Sequence, residues 1–519
     1  MKNLSDSILN LISYSTEKRF IVLLILISFL IKVIFAYIFI KYPDIPHDFY
    51  AYIDGGNLLL EGKPLYQTPI SNEKIFLYGP LFAALMGGWM AIFGINYFLL
   101  KFPCLIFSGL TIIPFFYLVR NVSNTQIAKY LSIIFSFSYI TLFSSGFLGN
   151  DDEIFVFFMV LSIYFLFTIR YKLSALSLAI ATGFKVVPLI LFPAIIIYFY
   201  RTCEVRQIAK YIFVFTISFL IILFPFYLNS GISVLYPYIG APNFQTHVPT
   251  AACLSPLNLI RTGIGICQNA IYYFSTHSMI PYDQNPLKNL VACPLNMFFN
   301  KIATPYAILG FILIFIYIFK FRIKEEKLEF TRNSFLFIFG GLFFSKLLDD
   351  LYFFWFFPFF LLLLSFKGKE WFKSCILSRS ELYGILLVVI TLLFHAVNNI
   401  HYSFQTQERI FLLLCCFLVG IGTYLMFFRI IFKKVWSIFV FIGILWRTTA
   451  VINPLLIFKP ILIKFIPDTP IGPYETYLSY STRFALDFVT ILMMTIAMVW
   501  FMIEIHKYLK DDYYTAPTK

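Results

Sequence analysis

Long apolar segments alternate with short polar ones along the whole chain. The first apolar run, Phe20 to Ile40, follows Lys18 and Arg19 and has no small-residue cleavage site after it. Apolar runs of about 20 residues are long enough to cross a bilayer as helices. The pattern predicts an all-α integral membrane protein with about 11–14 transmembrane helices, in one transmembrane domain over residues 1–519. After the first span, further spans are predicted at residues 99–119, 127–147, 154–169, 173–184, 186–200, 209–228, 304–319, 333–347, 351–366, 382–397, 409–428, 435–455 and 484–505.

Composition agrees with a membrane protein. Hydrophobic residues make up 60% of the chain and charged residues only 13%, and the mean hydropathy is +0.83, whereas soluble proteins carry about 25% charged residues. The net charge of +14 comes from Lys and Arg residues grouped in the N-terminal segment, the C-terminal tail and alternate loops. Positive residues in this arrangement mark cytoplasmic loops, so both termini are predicted to be cytoplasmic. No basic patch with interleaved aromatic residues is present, so a nucleic-acid partner is not expected.

This orientation places the polar clusters in external loops, chiefly a first loop over residues 41–98 and a large loop over residues 229–303. The apolar segment Gly79 to Gly94 is shorter than a span. Whether it crosses the membrane decides the side on which the following loops lie. If it crosses the membrane, Arg120 lies outside and Asp151 inside. If it lies in the membrane interface, Arg120 joins the other basic loops inside. We adopt the second interpretation, which predicts interfacial helices in the first external loop.

The first external loop contains the acids Asp48 and Asp54 and the imidazole of His47. A carboxylate just above the bilayer is well placed to accept a proton from a substrate. The structural alternative is that Asp48 only caps the N-terminus of a surface helix.

Three acids occur together in the sequence GNDDE at residues 149–153. Neighbouring carboxylates raise one another's pKa or attract a cation. Asp151 and Asp152 are therefore the candidate ligands if the protein binds a divalent cation such as Mg or Mn. Stabilisation of a helix N-terminus is the alternative explanation. No histidine pair has the spacing of a zinc site, and Gly-rich phosphate loops and hydrolase motifs are absent from the sequence.

Two lysines lie at external helix ends in apolar surroundings. Lys185 lies between Gly183 and Pro188, where helix geometry is expected to break. Ionisable groups in membrane segments are by default functional candidates, here for binding a lipid phosphate, although a lysine also extends to the interface without any function. Lys346 precedes Asp349 and Asp350 beside an aromatic run, and mutual neutralisation is the alternative there.

Several segments together resemble the C-type membrane glycosyltransferases (GT-C), which use polyprenyl-phosphate-linked sugars. HDFYAYIDGGNLLLEGKPLY at 47–66 and YGPLFAAL at 78–85 resemble that family's first external loop. GNDDE at 149–153 and LSALSLAIATGFKVVPLILFP at 173–193 resemble its second acidic loop and its G-x-x-x-K-x-x-P stretch. DDLYFFWFFPFFLLL at 349–363 is similar to a span of the mannosyl-transferring branches, including the first GPI mannosyltransferase. The oligosaccharyltransferase motif W-W-D-Y-G is absent from the sequence.

The resemblance implies a GT-C-like helix bundle that transfers one sugar, in the closest branches mannose, with inversion at the anomeric carbon. The donor would be a polyprenyl monophosphate sugar, and the acceptor a hydroxyl of a lipid-linked or membrane-adjacent glycan. Asp48 would be the general base, and Lys185, with Lys346 or His47, would hold the departing phosphate. Asp151 and Asp152 would orient substrate hydroxyls or hold the cation. Asp54, Asp349 and Asp350 complete the predicted substrate-binding set. The plasma membrane of a prokaryote fits better than endoplasmic reticulum.

A secondary transporter of a lipid or small polar solute is the main alternative, because many spans, broken helices and intramembrane charges are also typical of that class. Transporters usually contain internal repeats and binding charges near the midplane. In this chain no two halves are alike, and the charges are predicted at external helix ends. The pattern therefore favours the transferase.

Overall fold

The computed structural model describes residues 16–39, 47–67, 76, 78–202, 204–240, 294–344 and 353–366, with eight further isolated positions. Within these ranges the chain forms helices and no β-strand. The predicted site residues Lys346, Asp349 and Asp350 and most of the loop 229–303 lie outside the described residues. The helices are α1 Glu17–Phe39, α2 His47–Leu60, α3 Pro80–Phe93, α4 Tyr97–Leu100, α5 Phe102–Val122, α6 Thr125–Phe137, α7 Asp152–Phe167, α8 Tyr171–Phe184, α9 Phe192–Arg201, α10 Val205–Ser230, α11 Pro294–Lys320, α12 Glu326–Phe343 and α13 Phe353–Phe366.

Four described helical stretches are long and apolar enough to cross a membrane: Glu17–Tyr37, Tyr97–Val122, Val205–Tyr238 and Lys301–Lys320. Large apolar side chains such as Leu26 and Phe213 are exposed on the outer faces of these helices. Apolar surface of this extent is unfavourable in water and is normal in lipid. The predicted all-α integral membrane fold is confirmed.

The chain divides into two compact units. The first comprises Met1–Phe244, Glu325–Ile338 and Phe353–Ile385. The second comprises Gln245–Lys324, Phe339–Tyr352 and Leu386–Lys519. In the second unit, Gly310 of α11 packs against the ring of Phe344, and the Tyr317 hydroxyl lies 2.8 Å from Nδ1 of His506. All the site residues described below belong to the first unit.

Contacts at the two ends of α1 show whether the first loop makes a net crossing of the membrane. At the start of α1, Glu17 pairs with Arg120 and accepts a 2.8 Å hydrogen bond from Thr125. At the other end, the Tyr37 ring contacts the Phe98 ring with centroids 5.7 Å apart. The segment between Tyr37 and Phe98 therefore leaves and returns at the same end of the unit and makes no net crossing. The side of the membrane on which that end lies stays a prediction.

Helices α2 and α3 occupy this returning segment and pack against each other through glycines. A β-carbon on Gly56 would lie 3.1 Å from the backbone nitrogen of Gly87, so the two backbones come close only because neither residue has a side chain. Helix α3 has 14 residues and is about 21 Å long, less than the roughly 30 Å thickness of a bilayer core. The close packing holds α2 beside the start of α7, where Tyr52 meets Asp151.

At its far end α7 stops in a Schellman motif built on an unusual residue. The N–H of Ile169 bonds to the carbonyl of Leu166 at 3.1 Å, and the N–H of Arg170 to that of Phe165 at 2.8 Å, the pattern in which glycine is the usual left-handed residue. Ile169 has a φ of 62°. A β-branched side chain disfavours this conformation.

Ile169→Gly should raise the free energy of unfolding by about 1 kcal/mol, because it relieves the left-handed strain and removes only an exposed side chain. Thermal unfolding in a neutral detergent measures the change. Ile169→Val is the matched control and should bring no gain, since valine is also β-branched. Equal stability of the glycine and valine variants would contradict the interpretation.

Candidate functional site

The candidate site begins in the connection between α6 and α7. After α6 the chain makes a π-helical turn at Leu142–Leu148 and then reverses at Gly149, whose φ of 64° is left-handed. Asp151 follows as the residue before α7, but its side chain makes no capping hydrogen bond. Capping therefore does not account for Asp151. Asp152, in the first turn, still has a favourable interaction with the helix dipole.

Lys185 lies at the break that the sequence predicts. Helix α8 ends at Phe184, Lys185 is extended with φ −156° and ψ 149°, and a 3-10 turn with Pro188 follows. The missing helical continuation leaves the lysine at the end of α8, directed to the start of α7. Its ammonium group is 2.6 Å from Oδ1 of Asp152 and 3.2 Å from Oδ2 of Asp151.

These three side chains, which we call the Asp–Lys cluster, are largely buried. The side chain of Lys185 is 20% exposed, that of Asp151 4% and that of Asp152 0%. Asn150 also donates a 3.0 Å hydrogen bond to Oδ2 of Asp152. The lysine is therefore paired inside the protein and does not simply extend to the interface. Two acids against one lysine leave the cluster with an excess of one acidic group.

Helix α2 joins the Asp–Lys cluster through Tyr52. The Tyr52 hydroxyl donates to Oδ1 of Asp151 and accepts from the backbone N–H of Asp151, both at 3.3 Å. His47 and Asp48 lie in the first turn of α2, and Asp48 comes one helical turn before Tyr52. The side chains of His47 and Asp48 are outside the described part of the structure. Asp54, half-buried, is two residues after Tyr52 and thus leaves the helix on a different face.

Three aromatic rings, which we call the aromatic wall, surround the ammonium group of Lys185. Its Nζ lies 5.7 Å from the ring centroid of Tyr78, 5.5 Å from that of Phe155 and 5.4 Å from that of Trp355. At such distances ring faces stabilise a cation. Tyr66 supports this wall by donating a 2.9 Å hydrogen bond to the carbonyl of Tyr78. Burial raises the pKa of the Tyr66 phenol well above its usual range, so its hydroxyl remains a donor.

A second buried set lies near the Asp–Lys cluster, and the sequence analysis missed most of it. Lys32 of α1 and Glu153 of α7 are both fully buried and interact electrostatically. The ammonium group of Lys32 donates a 2.6 Å hydrogen bond to Ser108. The signal that identified Lys185, an ionisable group in an apolar run, is equally present at Lys32.

The described residues give limited support for a divalent cation. No group of three or more His, Cys, Asp or Glu side chains converges among them, and the Lys185 ammonium group already binds both carboxylates of the cluster. As arranged, Asp151 and Asp152 do not fit a Mg or Mn site. No step is therefore assigned to a metal.

The approach of Gly79 to α8 sets the position of the aromatic wall. The Gly79 N–H bonds to the Phe184 carbonyl at 2.9 Å, and a β-carbon on Gly79 would lie 2.2 Å from the carbonyl oxygen of Gly183.

We therefore expect Gly79→Ala to destabilise the protein by about 1–3 kcal/mol. Gly88→Ala is the control, because among the described residues no atom beyond its own stretch of helix lies within 4 Å of its β-carbon position and alanine favours a helix by up to about 1 kcal/mol. Thermal unfolding of both variants measures the difference, and equal stabilities would contradict the close contact.

Comparisons with known proteins return only distant structural likenesses. No family model and no curated protein matches the chain. ArnT from Cupriavidus metallidurans, in its structure bound to undecaprenyl phosphate, is similar with a TM-score of 0.45 at 11% identity over 92% of this chain and 77% of that one. Its apo structure gives a TM-score of 0.45 at 12% identity, over 93% and 78%. The apo oligosaccharyltransferase of Archaeoglobus fulgidus gives a TM-score of 0.40 at 12% identity, over 79% and 56%.

Proposed function

We propose that the protein is a C-type glycosyltransferase that moves a single sugar, mannose in the first instance, from a polyprenyl monophosphate to a hydroxyl of a lipid-linked or membrane-adjacent glycan. The observation that supports this most is the Tyr52–Asp151 contact at 3.3 Å. It joins the helix that carries Asp48 to the Asp–Lys cluster, and these are the segments in which the sequence resembles the GT-C family.

In the proposed reaction Asp48 acts as general base. It takes the proton of the acceptor hydroxyl while that oxygen attacks the anomeric carbon of the sugar. The bond between this carbon and the phosphate oxygen breaks, its electrons remain on the phosphate, and the configuration inverts. The products are the glycosylated acceptor, polyprenyl phosphate and protonated Asp48.

Lys185 is the proposed contact for the departing phosphate, whose negative charge grows in the transition state. Asp151 and Asp152 orient the ammonium group by their ion pairs, and a fifth of the lysine side chain remains accessible. Because the cluster has one acidic group in excess, phosphate binding requires further positive charge. His47 and Lys346 are the proposed sources of this charge.

The proposed roles of the remaining groups follow from their surroundings. Carboxylates accept hydrogen bonds from sugar hydroxyls, so Asp151, held more loosely by Lys185 than Asp152 is, is the better candidate for contact with the sugar. The exposed apolar helix faces are suited to the prenyl chain. Asp54, Asp349 and Asp350 remain proposed substrate contacts on sequence grounds.

A donor screen tests the proposed function. Membranes containing the protein, and membranes from cells with the empty vector, receive a panel of radiolabelled polyprenyl-phosphate sugars, and label in glycan products is measured. We expect transfer from one donor, with mannose first, and only with the protein present. Transfer from none of these donors would refute the transferase and favour the transporter.

A further inference from the structure

A cavity lies at the end of α7 opposite the Asp–Lys cluster. Its volume is about 430 Å³, and it is lined by the connection from α7 to α8 and by the first turns of α10. Three cations line it, Arg170, Lys172 and Lys210, together with Gln207 and Tyr211. No acidic side chain is among the lining residues that the structure describes. Glu204 and Glu326 interact with the lining residue Tyr171 from outside the lining, so three cations against two acids leave the cavity with a net positive charge.

Local backbone geometry adds to this potential. Helix α8 starts at Tyr171, and the side chain of Arg170, the residue before it, makes no capping hydrogen bond. The first N–H groups of a helix lack internal partners and carry partial positive charge. The strained residue Ile169 reverses the chain so that this helix start opens at the cavity. The dipole of α8 and the three cationic side chains therefore act on the same space.

The cavity also belongs to the more basic end of the unit. Lys327 joins two helices at this end, since its ammonium group donates a 2.6 Å hydrogen bond to Asn121 of α5 and lies 5.4 Å from the ring centroid of Phe167 of α7. Arg120 lies beside Asn121 and pairs with Glu17. Helix ends rich in Lys and Arg attract anionic lipid at the membrane surface.

Apolar side chains next to the cavity indicate a lipid as the ligand. Ile169 and Leu173 line the cavity and are exposed, and Ile212 and Phe213 are exposed on the adjoining turns of α10. A soluble anion would leave this apolar border uncovered, whereas the acyl chains of a phospholipid would cover it. We propose that the cavity binds the phosphate-bearing headgroup of an anionic phospholipid, with its acyl chains along α8 and α10.

The proposal is independent of the transferase activity and is tested by binding. Full-length protein in neutral detergent is titrated with phosphatidylglycerol, with phosphatidylcholine and with inorganic phosphate, and bound lipid is counted by native mass spectrometry. Lys172→Gln combined with Lys210→Gln should weaken phosphatidylglycerol binding by about 30-fold. Lys18→Gln combined with Arg19→Gln removes the same charge from exposed positions at the start of α1, outside the cavity lining, and should change binding by less than about 2-fold.

Each arm of the titration has a decisive outcome. Preferential retention of phosphatidylglycerol over phosphatidylcholine, lost only in the cavity variant, supports the proposal. Equal effects of the two double variants would overturn it by showing that net charge alone attracts the lipid. Displacement of phosphatidylglycerol by inorganic phosphate at the same concentration would assign the cavity to a soluble anion and refute the lipid.

Discussion

Asp48→Asn is expected to lower the rate of sugar transfer by about 10²–10⁴-fold, the usual contribution of a general base. Asparagine has the size of aspartate and caps a helix N-terminus equally well, so α2 should still form and hold Tyr52 against Asp151. The loss should appear in kcat at saturating donor, because the removed group acts on the attacking hydroxyl. The donor transferred most rapidly in the screen is the substrate for this measurement.

Glu61→Gln provides the control for Asp48→Asn. Glu61 follows the end of α2, is exposed and pairs with Lys63, so loss of its charge should leave transfer within about 2-fold of the wild type. If Asp48→Asn retained comparable activity, the base would be another residue, although the transferase itself would stand.

Lys185→Met is expected to destabilise the protein by about 3–5 kcal/mol, because it leaves the buried carboxylates of Asp151 and Asp152 without their cation. Methionine keeps much of the length and apolar character of the lysine stem, so the change removes mainly the charge. Transfer should be lost as well, since the proposed phosphate contact is absent. Unfolding of the purified protein by heat or denaturant measures the stability.

Lys63→Met is a closely matched control. The Lys63–Glu61 pair has the same 2.6 Å separation as Lys185–Asp152, but its side chains are 57% and 53% exposed. Exposed pairs contribute about 0–1 kcal/mol, so the two lysines should differ by several kcal/mol despite identical distances. Adding Asp152→Asn to Lys185→Met should recover part of the loss, because one unpaired charge is removed. Equal effects of the two lysine substitutions would contradict the burial argument.

Local features of the site could be predicted from the sequence because they depend on neighbouring residues. The helix break at Lys185 follows from Gly183 and Pro188, and the acids at the start of α7 follow from the GNDDE segment. Pairing of Lys185 with both Asp151 and Asp152 could not be predicted, since 33 residues separate Lys185 from Asp152. All three are candidates on sequence grounds, but with separate predicted roles. Lys32, whose partners Ser108 and Glu153 lie on other helices, is not among these candidates.

The sequence by itself determined that the protein is an all-α membrane protein, because backbone groups in lipid must bond within their own segment and long apolar runs therefore become helices. Only the tertiary structure decided that the segment between Tyr37 and Phe98 returns to the end from which it left, and that Tyr52 meets Asp151 across 99 positions. These relations depend on how helix surfaces pack, as at Gly56 and Gly87, and hydrophobic periodicity does not specify which surfaces meet.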